Sequence, residues 1–284
     1  MIGPRRESFP HLNEKPSYLR KTIASHRRPQ MTSDELSTGH WCDDACVFQY
    51  ADDTQLLVSG PKNNVRGLIS RMEASLETLN KWFHSNALKV NASKTQLMIF
   101  GSRQNLKHLP PVVSFRDAEL EPCAQAGNLG VVFDSSLTWE AHVTELSRRC
   151  MGLLIGLSHV RHCLPDGVIK TIVTAQVISR VNYCLSVYGN GTKKNLNRLQ
   201  KILNFATRVI FGCRKFDHVT DLREKLNWMP PEYMYKLQTM ATAHKAIHYG
   251  EPEHLPLCLP KTGTLQPGIE THVRINFSSS NVPD

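Results

Sequence analysis

Two adjacent carboxylates stand at the centre of Phe48-Gln49-Tyr50-Ala51-Asp52-Asp53-Thr54-Gln55. A short β-prone run ends at Tyr50 and a second, Leu56-Leu57-Val58, follows the pair, so the pattern predicts a β-hairpin with the two acids on its turn. Carboxylate oxygens are the ligands that Mg²⁺ prefers, and two on one turn can hold a hard cation together. A bare Asp-Asp turn is more often only solvated, and one hairpin rarely supplies all the carboxylates of a two-metal phosphoryl-transfer site. Other motifs in the sequence are needed to distinguish a metal site from a solvated turn.

The composition is typical of a globular protein. Of its 284 residues, 40% are hydrophobic and 21% are charged, which argues against a wholly disordered, collagen-like or membrane-spanning chain. The first residues include Arg5, Arg6 and Glu7 and no apolar segment, so we expect no signal peptide and no membrane partner. We expect an intracellular protein of the nucleus or cytoplasm, not a secreted one. The eight cysteines are then expected to be free thiols.

Positive charge is concentrated in one stretch of the chain. The net charge is +9, and between Ala141 and Lys215 twelve Lys and Arg residues face only two acids. Within this stretch the apolar spacing predicts a helix over Lys193–Phe211. One face of that helix carries a basic stripe, which consists of Lys194, Arg198, Lys201 and Arg208. Because no acid lies between Asp166 and Asp217, we expect the stripe to contact nucleic-acid phosphates, and an ordinary solvated face is the alternative.

The hydrophobic pattern divides the chain into four segments and predicts an α+β fold. Residues 1–45 form a basic, poorly ordered arm, 46–135 a mixed region with the hairpin, 136–250 a mostly helical region, and 251–284 a Pro/Ser-rich tail without regular structure. Helical spacing from Val65 to Phe83 predicts a helix that Asn63 or Asn64 caps. Further strands are predicted at Gln96–Phe100 and Gly127–Phe133, and Thr138 is the predicted N-cap of the first helix in the helical region.

The motifs resemble those of one polymerase family. Tyr50-Ala51-Asp52-Asp53, with Thr54 and Gln55 after it, resembles the catalytic hairpin of reverse transcriptases of non-LTR (LINE-type) retrotransposons. The resemblance continues, in the family's order and spacing, through Trp82 with Asn86–Thr95, Leu129-Gly130 with Asp134, Leu137, Trp139 and His142-Val143, Leu199–Ile202, and Leu226–Pro230. It covers the chain from about Val47 to about Leu259.

This resemblance implies a partial palm over 46–135, followed by a helical thumb and C-terminal region. It implies that Asp52 and Asp53 bind Mg²⁺ as the catalytic pair, and that Tyr50, Ala51 and Lys94 lie near the nucleotide and the primer end. The substrates it implies are deoxynucleotides, an RNA template and a DNA primer or target. Intact relatives copy RNA into DNA by two-metal phosphoryl transfer.

The family's palm also carries an earlier aspartate and a P-Q-G-S-type segment. No such segment occurs in the residues before Asp52, and Asp43 and Asp44 lie too close to the hairpin to replace the missing aspartate. The resemblance therefore predicts an N-terminally truncated element that is inactive alone and whose hairpin leaves an open strand edge. Two alternatives remain, a non-enzymatic nucleic-acid-binding module and the decayed product of a pseudogene.

Overall fold

Most strands lie in the first part of the described chain and most helices after it, with one long strand at its end, and this mixture of both types agrees with the predicted α+β class. The structure is a computed structural model that describes residues 45–50, 53–61, 64–101, 112–116, 118–250 and 270–281, all within one compact unit, Gly39–Asp284. The predicted arm apart from Ala45, the alternative cap Asn63 and the tail residues 251–269 and 282–284 lie outside this description.

The described residues form the following strands and helices. The strands are β1 (Ala45–Tyr50), β2 (Asp53–Pro61), β3 (Leu88–Val90), β4 (Gln96–Phe100), β5 (Val113–Phe115), β6 (Ala118–Leu120), β7 (Gln125–Asn128), β8 (Val131–Asp134) and β9 (Glu270–Asn281). The helices are α1 (Val65–Ser85), α2 (Glu140–His159), α3 (Asp166–Val173), α4 (Ser179–Asn182), α5 (Leu185–Tyr188), α6 (Lys193–Phe211), α7 (Thr220–Lys225) and α8 (Pro231–Tyr249). A π-helical turn, Thr174–Ile178, joins α3 to α4. No helix in the described ranges is long and apolar enough to cross a lipid bilayer.

The main sheet contains the predicted hairpin. β1 and β2 pair antiparallel, with Tyr50 opposite Asp53. The outer edge of β2 was predicted to be open, whereas in the structure β9 pairs with it along its whole length, from Asp53 opposite Ser278 to Pro61 opposite Glu270. β4 and β3 pair with the other edge of β9, so β9 lies inside the sheet. The hairpin is therefore supported by a strand from the far end of the sequence.

The strand β9 also differs from the predicted irregular tail. In the sequence, Val273, Ile275 and Phe277 alternate with polar residues, which is the period-two pattern of a strand. Pro- and Ser-rich residues flank this alternating segment, so the overall composition of 251–284 indicates irregular structure even though the local pattern is that of a strand.

One long helix covers one face of the hairpin. α1 begins where predicted, because the Asn64 side chain accepts a hydrogen bond from the Gly67 backbone N–H at 3.2 Å. Its apolar stripe packs against alternate residues of β2 and β4. The most deeply buried members of this core are Leu56, Val58, Leu68, Met72, Leu76, Leu79, Phe83, Leu97, Ile99 and Val113. Truncating one such Leu or Met to Ala typically costs about 2–5 kcal/mol, so this core holds the hairpin firmly.

A second hairpin replaces the single strand predicted over Gly127–Phe133. β7 and β8 pair antiparallel, with Asn128 opposite Val131, so the chain reverses at two residues. Both have positive φ, 45° at Leu129 and 81° at Gly130, as the tight primed turns of hairpins require. The single-strand prediction was wrong because a leucine at the first turn position hid the turn.

The entry into the helical region is held by Asp134 and not by the predicted cap Thr138. The Asp134 carboxylate accepts hydrogen bonds from the backbone N–H groups of Ser136 (3.2 Å), Thr138 (2.9 Å) and Trp139 (2.7 Å). Trp139 occupies the N-cap position of α2 with φ 62°, and its side chain is buried. The carboxylate thus satisfies N–H groups that would otherwise be unpaired at this turn.

The helices form a core of their own. α6 spans Lys193–Phe211 as predicted, and the buried residues that it shares with α2, α3 and the π-helical turn include Cys150, Leu154, Ile169, Val173, Val177, Leu199, Leu203 and Ala206. The Tyr188 hydroxyl donates to the Val181 carbonyl inside this core. The six cysteines in the described ranges are free thiols, as predicted.

Candidate active site

The hairpin presents Asp53 on the side of the sheet that faces away from α1. Along β2, Thr54, Leu56 and Val58 are buried while Asp53 and Gln55 are only half-buried, so the two groups point to opposite faces. Tyr50, opposite Asp53, is exposed. Asp52 and Ala51, which complete the predicted site, lie outside the described residues.

A side-chain contact joins this face to the β7–β8 turn. The Gln55 Nε2 atom donates to Asn128 Oδ1 at 2.6 Å. On the far side of the same turn, the Tyr183 hydroxyl donates to the Leu129 carbonyl at 2.8 Å. The turn therefore connects the hairpin to the segment between α4 and α5.

The same tyrosine lies close to the predicted site. The pKa of Tyr183 is raised, chiefly by the neighbouring Cys184 thiol, then by burial, and least by Tyr50. Tyr50 and Tyr183 are both well exposed. The contacts that connect the hairpin to the helical region are the hydrogen bonds that Gln55 and Tyr183 make to the β7–β8 turn.

A cleft of about 610 Å³ opens beside the β7–β8 turn. Two arginines, Arg149 and Arg180, and one carboxylate, Glu145, line it together with His142 and Tyr183. Glu145 accepts hydrogen bonds from Arg149 Nε at 2.6 Å and from Arg148 at 2.8 Å, and these bonds lower its pKa to about 2. Among the residues that line the cleft, one carboxylate therefore accompanies two guanidinium groups, which leaves the cleft positively charged.

His142 is a neutral part of the cleft wall. The Val132 backbone N–H donates to His142 Nδ1 at 3.3 Å, so this nitrogen acts as the acceptor. Burial lowers the pKa of His142, and the nearby Arg149 charge lowers it further. The imidazole edge also packs on the Tyr188 ring at a centroid distance of 4.6 Å. These contacts favour a structural histidine.

Lys94 lies across the sheet from Asp53. It ends the 3₁₀ turn between β3 and β4 and is exposed. The register sets Val90 opposite Ser279 and Gln96 opposite Asn276, while Asp53 lies opposite Ser278. Lys94 therefore lies in the connection between two strands that pair with one edge of β9, near the position where Asp53 pairs with the other edge.

The basic stripe is partly occupied by contacts within the protein. Lys194 Nζ lies 2.7 Å from Glu140 Oε1, and Arg198 lies 3.7 Å from the same carboxylate oxygen and donates to Thr144 Oγ1 at 2.7 Å. Arg208 donates to the Asp217 carbonyl at 3.0 Å. Lys201 is exposed and has no ion pair among the described residues.

No acid lies near the basic stripe in the sequence, but in the structure Glu140 of α2 pairs with two of its cations. Glu140 comes from a different helix, and only the packing of α2 against α6 brings it to the stripe. Sequence reasoning also missed Arg180 and Tyr183, because a single-chain pattern does not show which helix meets the β7–β8 turn. The Leu129-Gly130 pair was the available signal, and it marked one half of that contact.

Comparison with known proteins gives two relatives. The chain is 32% identical over 191 residues to "Probable RNA-directed DNA polymerase from transposon BS" of Drosophila melanogaster, which covers 64% of this chain and 20% of that protein. It is 25% identical over 150 residues to "Probable RNA-directed DNA polymerase from transposon X-element" of the same organism, covering 52% of this chain and 16% of the relative. No protein-family model and no solved structure matches the chain. The chain therefore spans a fifth or less of these relatives, whose names support the resemblance to reverse transcriptases.

Proposed function

We propose that this chain is the part of a non-LTR retrotransposon RNA-directed DNA polymerase that carries the catalytic hairpin and the following helical thumb. The observation that carries the proposal is the hairpin itself: its strand β2 packs against α1 on one face, and on the other face its Gln55 contacts the β7–β8 turn, which Tyr183 of the helical region also contacts. The similarity to two transposon RNA-directed DNA polymerases supports it independently.

Asp52 and Asp53 are the residues that would hold Mg²⁺. Their carboxylates are the hard oxygen donors that this ion takes, and Asp53 lies on the open face of β2. Within the described residues, which leave out Asp52, no group of three His, Cys, Asp or Glu side chains could hold a metal. Mg²⁺ held by these carboxylates would supply activation of the attacking hydroxyl and neutralisation of the charge on the leaving pyrophosphate. The aspartates hold the ion, while Tyr50 and Ala51 flank the nucleotide and primer end.

The substrates we propose are an RNA template, a DNA primer or target and deoxynucleotides. Lys94, which lies in the connection between the two strands that pair with the far edge of β9, would neutralise a nucleotide phosphate. The basic stripe would contact the backbone of the duplex, with Lys201 the cation most available for this and Lys194 and Arg198 shared with Glu140. Such an enzyme would act in the nucleus or cytoplasm.

Primer extension tests the proposal directly. The 284-residue polypeptide alone should incorporate no deoxynucleotide, because its hairpin supplies two carboxylates and the chemistry needs another. Joined to the palm and fingers of a family member, it should extend a primer on RNA in the presence of Mg²⁺. Asp52→Asn and Asp53→Asn should each reduce that activity by at least about 100-fold. The exposed Asp221→Asn is the matched control and should leave it unchanged.

Two results would contradict the assignment. Incorporation by the polypeptide alone that Asp52→Asn abolishes would show that the chain already holds a complete site. A folded chimera that stays inactive, or whose activity survives both hairpin substitutions, would remove the hairpin from catalysis.

A second candidate, a nucleic-acid-binding module without catalysis, is favoured by one observation. The helical region has its own core and carries the charge excess between Ala141 and Lys215. The full chain should then bind duplexes at low salt with little sequence preference, and Lys201→Ala should reduce the log–log salt slope by about 0.9 on B-form DNA. Binding that is unchanged in Asp52→Asn, with an inactive chimera, would favour this candidate over the polymerase.

A further inference from the structure

The last helix of the described chain has two apolar faces, and one of them lies in solvent. On one side, Met234 and Tyr235 pack against the helical core, and Pro231 and Ala246 are buried. On the opposite side a stripe of large apolar side chains is more than half exposed, at 58% for Tyr233, 56% for Leu237, 70% for Met240 and 66% for Ile247. We call these four residues the α8 stripe.

The spacing of the α8 stripe is that of a helix–helix seam. With His244 included, the positions follow one another at intervals of four, three, four and three residues. This is the heptad repeat that brings a and d residues of paired helices together. From Tyr233 to Ile247 the seam is about 21 Å long, enough for four to five layers of side chains.

The flank of the stripe carries little net charge. Lys236, beside the seam, is 2.8 Å from Glu232 and paired with it. On the helical wheel, Lys245 lies on the flank toward the packed face and away from Met240. Like charges therefore do not oppose two copies of this face, and neither sign is in excess to attract an acidic or a basic partner.

We propose that the α8 stripe is a self-association surface on which α8 of a second copy of this chain packs. Because the same surface serves both copies, the contact is two-fold symmetric. Covering both stripes and their flanks would remove on the order of 1,000 Å² from water, the lower limit of a specific interface. The dimer should therefore be reversible, with a dissociation constant on the order of 10 µM.

Sedimentation velocity of the full chain from 1 to 100 µM, after nuclease treatment to remove bridging nucleic acid, tests this. The wild-type chain should shift from monomer to dimer over the range. Met240→Glu places two like charges at the centre of the seam and should weaken the dimer at least about 100-fold. Thr239→Glu adds the same charge one residue away, at an exposed position outside the seam, and should not.

Each outcome decides the proposal. A wild-type chain that is monomeric at 100 µM overturns it, and so does a dimer that survives Met240→Glu or is lost equally in Thr239→Glu. If Met240→Glu changes the thermal melt followed by circular dichroism, the milder pair Leu237→Gln with Ile247→Gln takes its place and should also give a monomer. The assay contains no nucleic acid, so its result is independent of the proposed polymerase function.

Discussion

Asp134 lies in a segment that resembles a motif of a polymerase family, and in the structure its side chain has a structural task. Its carboxylate accepts hydrogen bonds from three backbone N–H groups and, at 3.2 Å, from the Thr138 hydroxyl. A capping residue changed to Ala typically costs about 0.5–2 kcal/mol, and hydrogen bonds to a charged group contribute more than neutral ones. We therefore expect Asp134→Ala to lower the free energy of unfolding by about 2–3 kcal/mol.

Urea denaturation followed by tryptophan fluorescence measures this change. With an m-value of about 2 kcal/mol/M, the midpoint should fall by roughly 1–1.5 M. Asp134→Asn keeps one acceptor oxygen and should cost about half as much, while the exposed Glu119→Ala should stay within about 0.5 kcal/mol of wild type. A free energy of unfolding for Asp134→Ala within about 0.5 kcal/mol of the wild-type value, which is the range of an ordinary surface substitution, would refute the capping argument.

Three more changes test particular contacts. Gly130→Ala puts a side chain at φ 81° and should cost about 1–2 kcal/mol of unfolding free energy in urea, whereas Gly127→Ala, whose added Cβ meets nothing within 4 Å, should cost far less. The pKa of His142 is lowered in the folded state, so the unfolded chain binds more protons below pH 6.5 and stability should fall as the pH drops through that range. In thermal melts, the melting temperature of a His142→Gln variant should depend less on pH than that of the wild type. Glu140→Gln releases two cations of the basic stripe, so duplex binding at low salt should tighten and its salt slope should steepen in a fluorescence anisotropy titration; an unchanged slope would mean that these cations do not touch phosphate.

Local patterns predicted the elements whose cause is local. Helices α1 and α6 followed from apolar spacing, with Asn64 among the predicted caps of α1, and the β1–β2 hairpin followed from two apolar runs around an acidic turn. The elements that were missed depend on partners distant in sequence or on unusual backbone. β9 is stabilised by pairing with strands made much earlier, and the Leu129-Gly130 turn places a leucine where glycine or asparagine is usual.

The features of the candidate site also fall into those that the local sequence predicts and those that it does not. The hairpin acids and the stripe could be read from residue types, since each is a run or a repeat within one element. The pairing of Glu140 with Lys194 and the contact of Tyr183 with Leu129 could not, because each joins residues that are 54 positions apart. Such contacts are decided by how whole elements pack.

The inner position of β9 sets an order for folding during synthesis. β2 must wait for a partner that leaves the ribosome roughly 200 residues later, a delay of about 10–40 s at 5–20 residues per second. During that interval the hairpin and α1 can associate, but the edge of β2 is exposed to any other nascent strand. The polypeptide should therefore depend on chaperones in the cell, and a ribosome-stalled chain that ends before residue 270 should be much more sensitive to protease in its first 100 residues than the released protein.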